Sequence, residues 1–346
     1  MNKQRLKEIL AKFSTIHIAV IGDYFLDRYW KIDPKRDEPS VETGLTAYQV
    51  VDCWGSPGAA GTVVNNLSAL GVGKINAIGF LGKDGEGCEL AALLDKIGVA
   101  RTYMIETDQR ATPCYTKPLR NGIEMNRFDI KNRTVTPPSV EEKLIAAVQE
   151  IINRIDALII MDQVSEENCG VLTENVRNHL IQLGQKHAKL LIYADSRERI
   201  HLYRNIVIKC NERETLEACG MYDGTSPTLD ILKQCGLKLA EKTGQAVFVT
   251  MGERGQLVVD PANGMPQTKH VPAVPVEGEI DICGAGDASS SAIVASLCAG
   301  ANYEEAATLG NLASSVTIRK IGQTGTASPE EILETFDKYS KHLTIG

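Results

Sequence analysis

The sequence predicts an α/β fold with a mostly parallel central sheet covered by helices on both faces. Short continuous apolar runs at residues 17–21, 75–81, 157–161, 190–194, 206–208 and 246–250 alternate with segments of helical period. Unbroken apolar strands suit a sheet buried on both faces, and such sheets are parallel. Polar residues recur where these runs end, at Asp23, Asp162, Asp195, Asn211, Glu214 and Thr250. Open α/β sheets bind ligands along that carboxyl edge.

The 346 residues suffice for one large α/β domain, and 43% apolar with 23% charged residues is an ordinary globular composition. Net charge is −7 and no Lys/Arg run stands out, which argues against nucleic acid or an anionic membrane as partner. No apolar run approaches membrane-spanning length. Nine cysteines lie singly with no CxxC pair, as expected of reduced thiols. Residues 1–13 read as an amphipathic helix rather than a signal peptide. The expectation is a cytoplasmic protein.

Taken in order, the first strand ends at Gly22-Asp23, which reads as a ligand-binding carboxylate or as a turn residue. Residues 27–54 are mixed and polar and predict one or two strands outside the main sheet. Gly55-Ser-Pro-Gly-Ala-Ala-Gly61 opens a helix marked by Val63, Val64, Leu67 and Leu70. Its small residues admit a ligand or a closely packed helix. A helix follows over 86–97. Asn121-Gly122 predicts a two-residue primed turn joining strands 114–120 and 123–129. Counting out from it sets Arg120 opposite Ile123 and Thr116 opposite Arg127. Arg120 and Arg127 then share one face, where they hold an anionic substrate or are simply solvated. Pro118 suggests an edge strand. Ser139-Val-Glu-Glu142 matches a capping box before Leu144, Val148, Ile151 and Ile152. Further helices are predicted around Leu172 to Leu183 and over 229–239, 288–298, 303–319 and 329–339. Residues 256–259 continue the 246–250 strand as a hairpin.

Asp281-Ile-Cys-Gly-Ala-Gly-Asp287 lies between the extended, Pro- and Val-rich run 271–276 and an apolar-periodic helix. Gly284 and Gly286 can take positive φ, and a helix N-terminus with free N–H groups is an anion site suited to phosphate. Asp287, in the first turn, would take the proton of an attacking hydroxyl. Taken alone, the same residues also read as a plain turn and helix start. No GxxxxGK[ST], dinucleotide fingerprint, protein-kinase signature, HExxH or GxSxG occurs, and the six histidines are dispersed.

From about residue 18 to 325 the chain resembles the ribokinase-like (PfkB) carbohydrate kinases. Within that family it is most similar to the kinase domain of the bacterial bifunctional heptose enzymes. The motifs are DxxGAGD at Asp281 to Asp287 and NxxE at Asn211 and Glu214. Supporting matches are Gly22-Asp23 with Leu-Asp-Arg-Tyr-Trp30, Pro57-Gly58, and Val249-Thr-Met-Gly252 with Gly255. The resemblance implies one three-layer α/β/α kinase domain over 1–346, with a small β lid from segments of about 28–56 and 101–130. It implies that Asp287 is the base, and that the backbone of Gly284, Ala285 and Gly286 stabilises the transferring phosphoryl group. Asn211 and Glu214 would place Mg²⁺ through water, and Lys209, Thr250, Gly252, Gly255 and Asn311 would line the ATP site. Asp23 would hold sugar hydroxyls, and Asp281 with the Cys283 carbonyl falls where some members hold a monovalent cation such as K⁺. A homodimer through the lid is also implied.

Two departures concern the substrate. Where the family reads GGxxN, this chain has Gly58-Ala-Ala-Gly-Thr62, with Ala59 for the second glycine and Thr62 for Asn. Ala288-Ser289 replaces a common Thr-Phe. The expected substrate is a sugar or sugar phosphate, whose phosphate would meet Arg120, Arg127 or Arg197. The alternatives are a nucleoside or other small-alcohol kinase on the same scaffold, and a non-catalytic sugar- or nucleotide-binding regulator.

Overall fold

The computed structural model describes residues 1–261, 266–322 and 324–343. In chain order the strands are β1 (His17–Gly22), β2 (Tyr24–Ile32), β3 (Glu38–Pro39), β4 (Thr46–Ala47), β5 (Val50–Ala59), β6 (Lys74–Gly82), β7 (Ala100–Thr107), β8 (Cys114–Arg120), β9 (Ile123–Glu124), β10 (Phe128–Ile130), β11 (Ala157–Asp162), β12 (Leu191–Ser196), β13 (Val207–Asn211), β14 (Val247–Thr250), β15 (Gln256–Asp260) and β16 (Gln267–Val271). The helices are α1 (Lys3–Ala11), α2 (Ala60–Ala69), α3 (Gly85–Lys96), α4 (Pro138–Ile151), α5 (Glu174–Lys186), α6 (Glu212–Ala218), α7 (Leu229–Thr243), α8 (Ala285–Cys298), α9 (Tyr303–Thr317) and α10 (Pro329–Leu343).

Nine strands form the central sheet in the order β16-β15-β14-β13-β12-β11-β1-β6-β7, parallel from β14 to β7 and antiparallel at β15 and β16. Alternation along the strands splits the core in two. Ile18 and Val20 of β1 join Ile159 of β11 beneath α1, α2, α8 and α9. Ala19 and Ile21 join Ile160 beneath α4, α5 and α7. Burial on both faces is why these runs carry no polar period, and it yields the three-layer α/β/α arrangement. Parallel strands bring Asp23, Asp162, Asp195, Asn211 and Thr250 to one edge.

A second sheet, in the order β10-β8-β2-β5 with β9 beside β8, stands over that edge as a lid. It differs from expectation at its borders. Residues 100–107 belong to the central sheet as β7, so the second lid segment begins at Cys114 rather than 101. Arg120 does face Ile123 across Asn121 and Gly122, which adopt φ of 53° and 80°. Thr116, however, pairs with Phe128 rather than Arg127. The one-residue slip falls at Pro118, which accepts from the Met125 N–H at 2.8 Å but has no N–H to return. Pro118 therefore sits at a gap in an interior strand, not on an edge. The α4 helix opens on Pro138 with no side-chain cap, and Ser139 bonds Gln109 instead of closing a capping box.

Ala59, at the N-terminus of α2, has φ 54° and ψ −118°. A side chain in that region costs on the order of 1–3 kcal/mol, and glycine relieves it. Ala59→Gly is expected to raise the thermal midpoint by a few degrees in an unfolding scan; an unchanged or lowered midpoint would show that Ala59 is not strained.

Candidate active site

The 281–287 loop folds as its glycines dictate. Gly284 takes φ 79° as the cap of α8, and a Cβ there would stand 2.5 Å from the Thr324 methyl. Only glycine fits both the angle and the space. The Ala285 N–H turns back to the Ile282 carbonyl at 3.2 Å, so it is not the free donor expected. Among the described residues no acceptor meets the N–H groups of Gly284 or Gly286. These two remain to receive an anion at the helix N-terminus. Asp281 fastens the loop: its carboxylate accepts from Cys283 at 3.0 Å and Gly322 at 3.1 Å.

Asp287 sits in the first turn of α8. Burial, reinforced by Asp195, pushes its carboxyl up to about 7, against the pull of Lys209 and Arg197. Beneath it, Lys209 Nζ lies 2.6 Å from Asp195, and both are buried. Ser290 donates to the same carboxylate oxygen at 3.1 Å, and the buried Tyr193 hydroxyl donates to Ser290 at 3.1 Å. A Cβ on Gly286 would stand 3.3 Å from Lys209 Nζ. The ammonium thus lies close beside the anion site.

Asn211 and Glu214 form a reciprocal capping box at the start of α6. The Glu214 N–H donates to Asn211 Oδ1 at 2.8 Å, and the Asn211 N–H donates to Glu214 Oε2 at 2.7 Å. One oxygen of Glu214 is left over. Its carboxyl is pushed up to about 7 by burial and by Asp195. Surplus negative charge at Asp195, Glu214 and Asp287, with hard oxygen donors, suits a dication held through water. Among the described residues no three His, Cys, Asp or Glu side chains form a direct metal cluster.

A cleft of about 680 Å³ lies beside this machinery. Lys209, Asn211, Thr250, Gly252, Gly255 and Asn311 line it. Val274, Val276, Ile280, Ile282 and Ile318 give it an apolar wall fit for a flat base. Asn311 acts through that wall. Its amide donates to the Val271 and Pro272 carbonyls and accepts from Gln256, which leaves it little capacity for ligand. Gly255 (φ 87°) lets the same segment approach, since a Cβ there would meet Ala273 N at 2.5 Å.

On the acceptor side the structure corrects three expectations. The Asp23 carboxylate is buried and accepts three backbone N–H groups, from Gln163, Val164 and Val171, so most of its acceptor capacity goes to protein at the floor of the small cavity under the lid. The carboxylate that faces the site is Asp27. It shares one face of β2 with Phe25 and Tyr29, pairs with Lys117 at 3.0 Å, and acts electrostatically on Asp287. A Cβ on Gly58 would stand 2.5 Å from its Oδ2, which accounts for that glycine. Arg120 and Arg127 do not share a face, because of the slip at Pro118. Arg120 pairs with Asp37 at 2.8 Å on the side of Trp30 and Phe128. Arg127 lies over Tyr115 on the site side, paired with Asp129 at 2.7 Å. Thr62 turns its hydroxyl to the Pro57 carbonyl and its methyl toward Gly284. Asp27 was readable from the alternation of β2; that this face looks at Asp287 depends on long-range packing.

A parallel sheet with a β lid over its carboxyl edge and a glycine-capped helix beneath it is the ribokinase-like architecture, and solved structures share it. Escherichia coli phosphofructokinase-2 in complex with potassium superposes with a TM-score of 0.72 at 20% identity, over 94% of this chain and 99% of that one. Arabidopsis thaliana ribokinase complexed with ribose and ATP gives 0.66 at 17% identity, over 92% and 98%. The pfkB family carbohydrate kinase profile matches residues 30–331, and the chain belongs to that family. A bifunctional protein HldE of Bradyrhizobium sp. (strain ORS 278) is 30% identical over 319 residues, 90% of this chain and 62% of that relative. HldE of Bradyrhizobium diazoefficiens is 31% identical over 88% of this chain and 60% of its own length. The chain therefore spans about three-fifths of the curated relatives it matches.

Proposed function

We propose that the protein transfers the γ-phosphoryl group of ATP to a hydroxyl of a sugar or sugar phosphate. The observation that carries this is Asp287, a carboxyl with a pKa of about 7 at a glycine-capped helix N-terminus, beside a cleft sized for a nucleotide. Asp287 takes the proton of the acceptor hydroxyl as its oxygen bonds to the γ-phosphorus and the bond to the ADP oxygen breaks. The Gly284 and Gly286 N–H groups and Lys209 face the charge on the transferring group. Asp27 and Lys117 orient the acceptor, and Arg197, exposed near Asp287 and Glu214, meets an anionic substituent. Asn211 and the free oxygen of Glu214 would hold Mg²⁺ through water, and bound Mg²⁺ neutralises phosphate charge. Asp281 would border a site for K⁺. The chain acts as one kinase domain with β2, β5 and β8 to β10 as its lid.

Among the described residues no helix is long and apolar enough to cross a membrane, and all nine cysteines are free, which supports a reducing, ATP-rich compartment such as the cytoplasm. The test is ADP release from ATP and Mg²⁺ across a panel of acceptors: ribose, fructose and a heptose, each with and without a terminal phosphate. One acceptor that stimulates the wild type, with loss of the rate in Asp287→Asn, supports the reading. ATP binding without turnover of any alcohol would favour a regulator.

The lid also exposes Ile123, Phe128 and Ile130 at its β9–β10 edge, and Val41, Leu45 and Val50 in and after the β3–β4 hairpin. So many exposed apolar side chains on the lid support homodimerisation through it. Light scattering at micromolar concentration should give a dimer, and Phe128→Asp should give a monomer. A monomeric wild type would count against the interface.

A further inference from the structure

Three charged side chains, each from a different part of the chain, bond the backbone of one connection, and two of them, Asp23 and Arg110, are buried. The 163–171 loop runs from β11 toward α5. Asp23, just after β1, accepts from Gln163 at 3.0 Å, Val164 at 3.1 Å and Val171 at 2.7 Å. Arg199, after β12, donates to the Val164 carbonyl at 2.9 Å and the Ser165 carbonyl at 2.6 Å. Arg110, between β7 and β8, donates to the Cys169 carbonyl, and its guanidinium is buried with no carboxylate bonded to it. Connections of this kind usually take a few residues and need no such anchoring. Buried charges cost several kcal/mol unless well bonded, so fixing this loop is what their burial achieves.

The loop forms one side of a small cavity whose other side is Phe25 and Tyr115 of the lid, with Lys131 and Arg197 at its margin. Its volume is about 40 Å³, room for one substituent rather than a sugar ring. Glu166 on the loop reaches Arg133 at 3.6 Å and Lys131 at 3.9 Å, on the segment that returns from the lid. Arg197 connects this cavity to Asp287 electrostatically. The cavity thus lies where a group remote from the reacting hydroxyl would reach.

We propose that the 163–171 loop is the wall that selects the acceptor by its remote substituent, and that Asp23 is the positioning residue that sets this wall. The substituent is one that accepts hydrogen bonds from Arg197 and Lys131, a hydroxymethyl or its phosphate ester. Asp23 lies at the floor of the cavity and acts by holding the Gln163, Val164 and Val171 N–H groups. The inference rests on the kinase reading for its substrate, but it is tested separately from it.

The experiment measures KM for acceptor and for ATP, and kcat, with fructose, fructose 6-phosphate and the terminal-phosphate pair of a heptose. In Asp23→Asn an amide NH₂ faces backbone donors, so the loop loses its setting. Acceptor KM is expected to rise about tenfold and the preference between members of a pair to shrink, with kcat within about threefold and ATP KM unchanged. Gln163→Ala keeps the N–H that Asp23 accepts and removes only a side chain of the wall, so it should reduce the preference with the anchor intact, and an unchanged preference in it overturns the role of the wall even if Asp23→Asn does not fold. Unchanged acceptor KM and preference in the folded variants would overturn the proposal. So would an equal rise in ATP KM, which indicates general damage. Calorimetric binding of the same sugars separates the two readings. A wild type that binds a sugar without turning it over sinks the kinase, while a tenfold weaker binding in Asp23→Asn still supports the loop.

Discussion

Asp287→Asn is expected to lower kcat by 10²–10⁴-fold, the usual contribution of a positioned general base, with acceptor and ATP binding nearly unchanged. The wild-type kcat should carry an acid limb. With the carboxyl at about 7, the base is charged above that pH and protonated below it, so activity rises with pH to a plateau above neutrality. The variant should keep only the part of that limb that Glu214, also pushed up to about 7, contributes. The same carboxyl gives an independent signature in stability. Its pKa is raised from 3.8 to about 7 on folding, so between those values the unfolded chain has released the proton and the folded chain has not. That difference favours unfolding as pH rises, and the loss is complete above about 7. Asp287→Asn removes it. At pH 8 the variant should melt a few degrees above wild type, and at pH 4 the two should coincide. A variant that keeps wild-type turnover would remove Asp287 from the role of base. One that melts lower at pH 8 would mean that its carboxylate is stabilised in the fold.

The elements that the sequence showed best are those whose burial leaves a mark in composition. Residues of β1, β11 and β14 touch helices on both sides, and nothing but apolar side chains fits. β7 went unseen as a central strand because it is the outer strand beside β6, half-exposed, with Thr102 and Glu106 open to solvent. The Asn211–Glu214 motif was legible as a family signature, and the same spacing makes the helix cap that the structure shows. The positions of Arg120 and Arg127 were not legible: a slip of one residue at Pro118 reverses a face, and turn chemistry alone does not record it. Nor did the fate of Asp23 show. Its partners are N–H groups some 140 residues away, and only the parallel crossing of β1 beside β11 brings them together.

Lys209 should give the second large effect, and one whose two parts can be separated. Its ammonium is 2.6 Å from Asp195 and adjoins the backbone of Gly286, so it both neutralises a buried carboxylate and places a cation at the phosphoryl site. Lys209→Met leaves Asp195 buried with only Ser290 to answer it. Breaking such a pair from one side costs about 3–5 kcal/mol, so the variant should melt well below wild type. Its kcat should fall about a hundredfold or more, since a fixed charge facing the transition state is lost. Adding Asp195→Asn removes the stranded charge. The double variant is expected to regain most of the stability, because the remaining amide can still bond Ser290, but not the turnover, because no cation returns. Asp195→Asn alone should lower the pKa of Asp287, since Asp195 pushes it up, and so shift the acid limb of kcat toward lower pH. Denaturant unfolding and steady-state rates of the four proteins decide it. If the double variant recovers turnover along with stability, Lys209 serves only as a counter-ion to Asp195, and the cation for the transferring phosphoryl group must come from Arg197.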